Sequence, residues 1–289
     1  MVPTSLAPTD LVFCSTPVAN TPLLDRLEPV AAAGFRGIAV QPGDIWQLEE
    51  QGMPAAEIAA RITDAGLVVT EIDCAACWFD RQMRVEQIGG MTAFLRQLRT
   101  ERVVETAARI GAQSVTAIDL SESEAPVTEA AEGFAALCDL AARHGLKAQI
   151  EWLPVGGIRS LRHAWDIVRG AGRANGGLTV DAWHFFRSGS RLDELAEIPG
   201  DRIHSVQLCD APAAAQVDLW AELMSARLLP GEGDLDLTGL IRTLDRIGAT
   251  APMAIEVFHP RQETQTLDAI ARDWAGSAHN VMAKARDTA

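Results

Sequence analysis

Eight short apolar runs recur along the chain: "LVFCS" (11–15), "RGIAVQ" (36–41), "LVVTEID" (67–73), "SVTAIDL" (114–120), "LKAQIEWL" (146–153), "GLTVDAW" (177–183), "IHSVQLCD" (203–210) and "PMAIEVF" (252–258). Between them lie stretches with apolar residues at helical spacing, such as "PLLDRLEPVAAAG", "AAEIAARITDAG", "ERVVETAARIGA" and "LTGLIRTLDRIGAT". Several close on Gly, which tolerates the left-handed turn after a helix. Strands alternating with helices predict a parallel sheet built from crossovers. Eight such units predict one α/β domain over residues 1–289, a single closed (β/α)8 TIM barrel. The alternative is an open, doubly wound sheet. Its glycine-rich turn after the first strand is missing, because "CSTPVAN" contains no Gly.

In such a barrel, chemistry sits where strands end and βα loops begin. Those positions hold Glu71, Asp73, Asp119, Glu151, Asp181, Gln207, Asp210 and Glu256, with His184 and His259 just beyond two of the ends. An Asp after one strand is ordinarily a helix cap. Several carboxylates at one rim repel each other, and a divalent cation is the simplest compensation. Glu151, Asp181, Gln207 and Glu256, from four consecutive strands, form the best ligand set. Three carboxylates and an amide oxygen suit Mn²⁺ or Mg²⁺, and Co²⁺ or Zn²⁺ if a histidine joins.

These residues carry a resemblance. "AQIEWLP", "VDAWHFFRSG", "VQLCDAP", "LPGEGDLDL" and "AIEVF" follow one another in the order of the motifs of the xylose-isomerase-like barrels, the sugar phosphate isomerase/epimerase family. "VQLCDAP" is similar to the hydroxypyruvate-isomerase-like form of the seventh strand, with Gln in place of His. The resemblance covers nearly the whole chain. It implies Glu151, Asp181, Gln207 and Glu256 as metal ligands, His184 in contact with substrate or behind the ligands, and proton exchange by the two glutamates. In some ketose epimerases of the family a substrate-binding Arg follows the strand-seven ligand closely. Here "DAPAAAQ" follows instead.

A cation that chelates a carbonyl and a neighbouring hydroxyl acidifies the C–H between them. Glu151 and Glu256 are the expected acid/base pair. Proton return to the same carbon epimerises, to the adjacent carbon isomerises, and loss of a β-substituent eliminates. The expected function is thus a divalent-metal-dependent isomerase or epimerase of a small polyhydroxy carbonyl compound, working through an enediolate. The alternative is a lyase or dehydratase at the same site, acting on dehydroshikimate, a ketocyclitol or a keto-glycoside. A ligand-binding barrel without catalysis is a third reading.

Several residues bear on the pocket. Trp183, with Trp152, Phe185 and Phe186, suggests an aromatic wall. Glu71 is expected at the pocket wall. Arg187 either holds a substrate carboxylate or forms a salt bridge, and Asp210 caps or braces Gln207. His204 should point outward, while the Cys74–Cys77 pair lacks the second pair a zinc site needs. The two lysines, Lys147 and Lys284, lie away from the strand ends, which disfavours a Schiff-base aldolase. "VFHPRQET" lacks the Gly of a phosphate loop. The segment from Ala211 to Leu237 reads as a lid or as the contact face of a homo-oligomer.

Charge narrows the partners. The formal net charge of −14 and the six histidines argue against nucleic acid and against a histidine-rich zinc nuclease. No apolar run is long enough to span a bilayer, and the start of the chain lacks a secretory pattern. Five scattered cysteines fit a reducing cytoplasm.

Overall fold

The computed structural model describes residues 6–287. The expected single domain runs over 1–289, so its two ends lie outside the described residues. Eight parallel strands close into a barrel in the order β1 to β8. They are β1 Leu11–Cys14, β2 Gly37–Val40, β3 Val68–Ala75, β4 Ser114–Ala117, β5 Lys147–Glu151, β6 Gly176–Asp181, β7 Ile203–Leu208 and β8 Met253–Ile255. Val12 opposite Ala254 closes the ring. Each expected run holds one strand. The runs at 114–120 and 252–258 shorten to four and three residues because the chain turns early into its loop.

Both strand faces are buried, which is why the runs read as nearly continuous apolar segments. Leu11, Phe13, Ile38 and Ile255 face outward into the main core beneath the helices. Phe13 stacks on Trp274 of the helix Leu267–Arg286 at 4.7 Å and meets the edge of Phe35 at 5.3 Å. Burying each such ring stabilises the fold by roughly 1.5–3 kcal/mol.

The inward face differs between the two sides of the barrel. On β1, β2 and β8 it is small and apolar, with Val12, Cys14, Ala39 and Ala254 in one cluster. On β3 to β7 it is polar. There Glu71 accepts hydrogen bonds from Thr116 (2.9 Å), Ser205 (3.1 Å) and Gln149. One step further along the strands, the same inward parity delivers Glu151, Asp181 and Gln207 to the mouth. A register shift between Leu178 and Thr179 sets Asp181 directly opposite Gln207. No helix among the described residues is long and apolar enough to cross a membrane.

Candidate active site

Glu151 ends β5, Asp181 ends β6, Gln207 lies in β7, and Glu256 stands one residue past β8. A backbone bond from Glu256 to the Leu208 carbonyl (3.2 Å) fixes that last position. All four are buried, at 5, 0, 1 and 4% exposure. His184 Nε2 lies 3.2 Å from Glu151 Oε1 and 4.0 Å from Asp181 Oδ1. Ligand atoms of Glu151, Asp181 and His184 all fall within 4.8 Å of one another, close enough to share one ion. Gln207 Oε1 is buried without a hydrogen-bond partner.

Asp181 does two jobs. Its Oδ1 accepts the His184 backbone N–H at 2.7 Å and so caps the helix Ala182–Arg187. Its Oδ2 accepts a hydrogen bond from Arg227 Nη1 at 2.8 Å. A carboxylate carries about four acceptor positions, so capping leaves capacity for further contacts.

Sequence reasoning missed Arg227. Its Nη1 donates to Asp181 Oδ2 at 2.8 Å and to Glu256 Oε2 at 3.2 Å, and Nη2 lies 3.5 Å from His184 Nε2. The guanidinium is buried between the rings of Trp183 and Phe258, 5.4 and 5.2 Å from their centroids. A Leu228–Asp210 bridge (2.8 and 2.9 Å) and an Arg227 N–H bond to the Phe258 carbonyl (3.1 Å) thread this residue between the ends of β7 and β8. No close arginine follows Gln207 in sequence, yet the fold delivers one from twenty positions on. The available signal was a lone charge in "SARLL", flanked by apolar residues at the end of an amphipathic stretch.

Electrostatics follow from this crowding. Burial, then the charge of Glu256, pushes the Glu151 carboxyl well above its usual range. Glu256 rises to about 8, chiefly through burial, against the lowering pull of Arg227. Asp73, at the end of β3, rises to about 6 through burial, although Thr16 donates to it at 3.2 Å. Burial lowers His184 to about 3, so its imidazole is neutral.

A cavity of about 280 Å³ opens above these groups. Asp73, Glu151, His184, Arg227 and Glu256 form its floor. Its walls are mostly apolar and come chiefly from the β3–β4 loop and from the helix Leu219–Ser225 after β7, with Thr16, Gln41 and Gly43 on the side of β1 and β2. Trp220 of that helix packs on Gly89 so closely that a Cβ there would sit 2.5 Å from the ring, and the φ of +70° at Gly89 also favours glycine. The segment expected as a lid or oligomer contact thus forms part of the cleft wall.

Three expected substrate contacts lie elsewhere. Trp183 is buried beneath Arg227, with its Nε1 donating to Glu222 at 2.7 Å. Arg187 pairs with the same Glu222 carboxylate at 2.7 Å and donates to the Pro212 carbonyl at 2.7 Å, which makes it a brace for the wall helix. Glu71 sits inside the barrel below the mouth, held by Thr116, Gln149 and Ser205, and faces a cavity at the opposite end. Of the four expected contacts only His184 lines the cleft.

The expected aromatic wall is likewise relocated. Trp152 is fully buried against Ser188, and Phe185 packs edge-on to Phe186. Asp210 organises the "PGEG" loop, accepting N–H bonds from Ala211, Gly231 and Leu235. His259 caps a turn through Arg261 N at 3.1 Å and does not line the cleft. Cys77 Sγ faces the Leu95 carbonyl at 3.4 Å, and all five cysteines are free.

A model of the xylose isomerase-like TIM barrel family matches residues 27–278. The chain belongs to that family. Among relatives of this xylose isomerase-like barrel, a 3-dehydroshikimate dehydratase of Pseudomonas aeruginosa is 30% identical over 247 residues, 82% of this chain and 36% of the relative. An inosose isomerase of Bacillus velezensis is 29% identical over 168 residues, 55% of this chain and 58% of the relative. The chain therefore spans about a third to three-fifths of the length of these curated relatives. Among solved structures, an IOLI protein with a bound zinc atom superposes with a TM-score of 0.81 at 19% identity, covering 96% of this chain and 99% of that one. An L-ribulose 3-epimerase gives 0.72 at 16% identity, covering 97% and 96%. At these identities the two structures establish the shared fold.

Proposed function

We propose that Glu151, Asp181, Gln207 and Glu256 hold one divalent cation, Mn²⁺ or Mg²⁺ by the oxygen-rich donor set, and that the chain is an isomerase or epimerase of a small sugar-like carbonyl compound, acting through an enediolate. What supports this reading is that three buried carboxylates and a buried amide oxygen without a partner stand at four consecutive strand ends, with ligand atoms of Glu151 and Asp181 (and His184) within 4.8 Å of one another and Glu256 joined to Asp181 through Arg227. Arg227 pairs with Asp181 and Glu256 but not with Glu151, so ionising all three buried carboxylates together calls for a further cation, which a divalent ion would supply. The approach of His184 to Glu151 and Asp181 makes the site hospitable to Zn²⁺ or Co²⁺ as well. The bound zinc in the superposed IOLI barrel is in line with this.

The cation, when bound, supplies Lewis acidity that lowers the cost of negative charge on a carbonyl oxygen and its neighbouring hydroxyl. The chain's own residues do the rest. Glu151 and Glu256, on β5 and after β8, face the cleft from different sides of the ring. Either takes the C–H proton, and the other holds or returns one. His184, neutral and 3.2 Å from Glu151, orients that carboxylate. Arg227 fixes Asp181 and Glu256 and presents fixed positive charge where substrate negative charge develops. The apolar walls exclude water from the transferred proton.

Elimination is the second reading. Its specific support is the similarity to 3-dehydroshikimate dehydratase across 82% of this chain. The same two glutamates would remove the proton and protonate a departing hydroxyl.

The test is hydrogen exchange in heavy water with metal-loaded protein, over a panel of ketoses, ketocyclitols and dehydroshikimate. Metal-dependent C–H exchange that falls by about 10²–10⁴ in Glu151→Gln supports the reading. Equal exchange in the variant removes Glu151 from the chemistry. An unsaturated product selects elimination over isomerisation.

A further inference from the structure

The cleft is divided in two. Its ionisable side chains lie on the floor, while the upper wall is built by Met91, Phe94, Leu95 and Leu98 on one side and Trp220, Leu223 and Met224 on the other. Ile118, Leu120, Leu153 and Phe258 continue the apolar surface down to the floor. Beyond the floor, Gln41 and Thr16 are the lining side chains with an amide or hydroxyl to offer, and Thr16 already donates to Asp73. Phe94 and Met224, at 55% and 43% exposure, are two of the few large hydrophobic side chains left open to solvent among the described residues, and both stand at this rim.

A hydroxyl buried against such a wall without a partner loses about 1–3 kcal/mol. A chain of sugar hydroxyls rising from the floor would meet that penalty at each carbon. An apolar group in the same place gains about 25 cal/mol for each Å² removed from water. The volume, about 280 Å³, exceeds what a three- or four-carbon chelating head fills and sits near the ~300 Å³ lower bound of small-molecule sites.

We infer that the substrate is amphiphilic: a small hydroxylated carbonyl head seated on the acidic floor, carrying an apolar substituent about one ring in size that packs between the 91–98 wall and the Leu219–Ser225 helix. This rests on the proposed reaction for the head and adds the chemistry of the body. Specificity then resides in Phe94, Leu98, Trp220 and Met224, which come from the βα connections, while the carboxylates of the floor come from strand ends.

The experiment uses the Mn²⁺-loaded protein and three compounds: two α-hydroxyketones with the same head, one bearing a methyl and one a phenyl group, and a free ketose. Heavy-water exchange gives kcat/KM, and calorimetry gives Kd and the heat-capacity change of binding. The phenyl compound is expected to surpass the methyl one by at least about tenfold, in kcat/KM or Kd, with the more negative heat-capacity change. Phe94→Ser combined with Met224→Ser, both at the rim, should narrow that ratio several-fold. A phenyl-to-methyl ratio near one, or preference for the free ketose, overturns the inference while leaving the exchange reaction in place. Tighter binding of the phenyl compound with no exchange on any compound upholds the amphiphilic pocket and rejects the reaction. A wild-type ratio retained in the rim variant removes this wall from substrate selection.

Discussion

The barrel buries two acidic groupings one above the other, and they are built to opposite ends. Inside the barrel, Glu71 accepts from Thr116, Gln149 and Ser205, so its two oxygens are supplied by neutral donors. At the mouth, Asp181 and Glu256 share a single guanidinium, Glu151 meets only the neutral His184, and the Gln207 oxygen has no partner. Both groupings are almost wholly removed from solvent. Burial alone therefore does not distinguish structure from site. What distinguishes them is whether neighbouring donors fill the oxygens' hydrogen-bonding capacity or leave it open for something that enters from outside.

The sharpest way to break this contrast is to remove Arg227. Arg227→Met leaves Asp181 and Glu256 buried without their cation, which should cost about 3–5 kcal/mol in metal-free protein. Adding MnCl₂ should then raise the melting temperature more in the variant than in wild type. Equal metal response in both proteins would show that the ion and the guanidinium do not share the same carboxylates.

The interior grouping makes a pH prediction of comparable size. Burial, with the charge of Asp73, raises Glu71 from 4.5 to about 7. A carboxyl whose folded pKa is raised binds its proton more readily in the folded state than in the unfolded state. Its stabilisation is complete below about pH 4.5 and is lost as pH rises towards 7 and above. The loss attributable to Glu71 is about 3 kcal/mol, an order-of-magnitude figure. In metal-free protein, Glu71→Gln should flatten that part of the stability–pH curve, read by urea unfolding from pH 4.5 to 8.

The smallest expected effect concerns catalysis. Glu71→Gln lies off the cleft and should change heavy-water exchange by no more than about threefold, under about 1 kcal/mol in the barrier. A loss of the size expected for Glu151→Gln would place Glu71 in the chemistry and erase the contrast between the two layers.

Much of this was legible in the sequence, for a physical reason. Strand ends are fixed by the period of two and by the switch to loop chemistry, so the eight runs located Glu151, Asp181, Gln207 and Glu256 at the rim. In "VDAWHFFRSG" the cap reading holds, since Asp181 accepts the His184 N–H, and its second oxygen meets Arg227 beside Glu256. Parity told less about Glu71, because inward residues one layer apart share a face but not an opening. Arg227 was out of reach because a long loop folds back and a two-residue bridge at Asp210 and Leu228 sets its register, a non-local event without periodicity. Trp183 and Arg187 misled for the opposite reason. They are close to a ligand in sequence, yet a helix turn points both at Glu222. The apolar wall was likewise assigned to the nearest aromatics, while the fold builds it from the 91–98 segment and the Leu219–Ser225 helix.

The central claim is that one cation sits on Glu151, Asp181, Gln207 and Glu256. Anomalous diffraction from crystals grown with Mn²⁺ tests it most directly. The account predicts one strong peak about 2.0–2.6 Å from oxygens of those four residues, and none beside Glu71. An empty rim, or a peak bound by a different set of side chains, would contradict it.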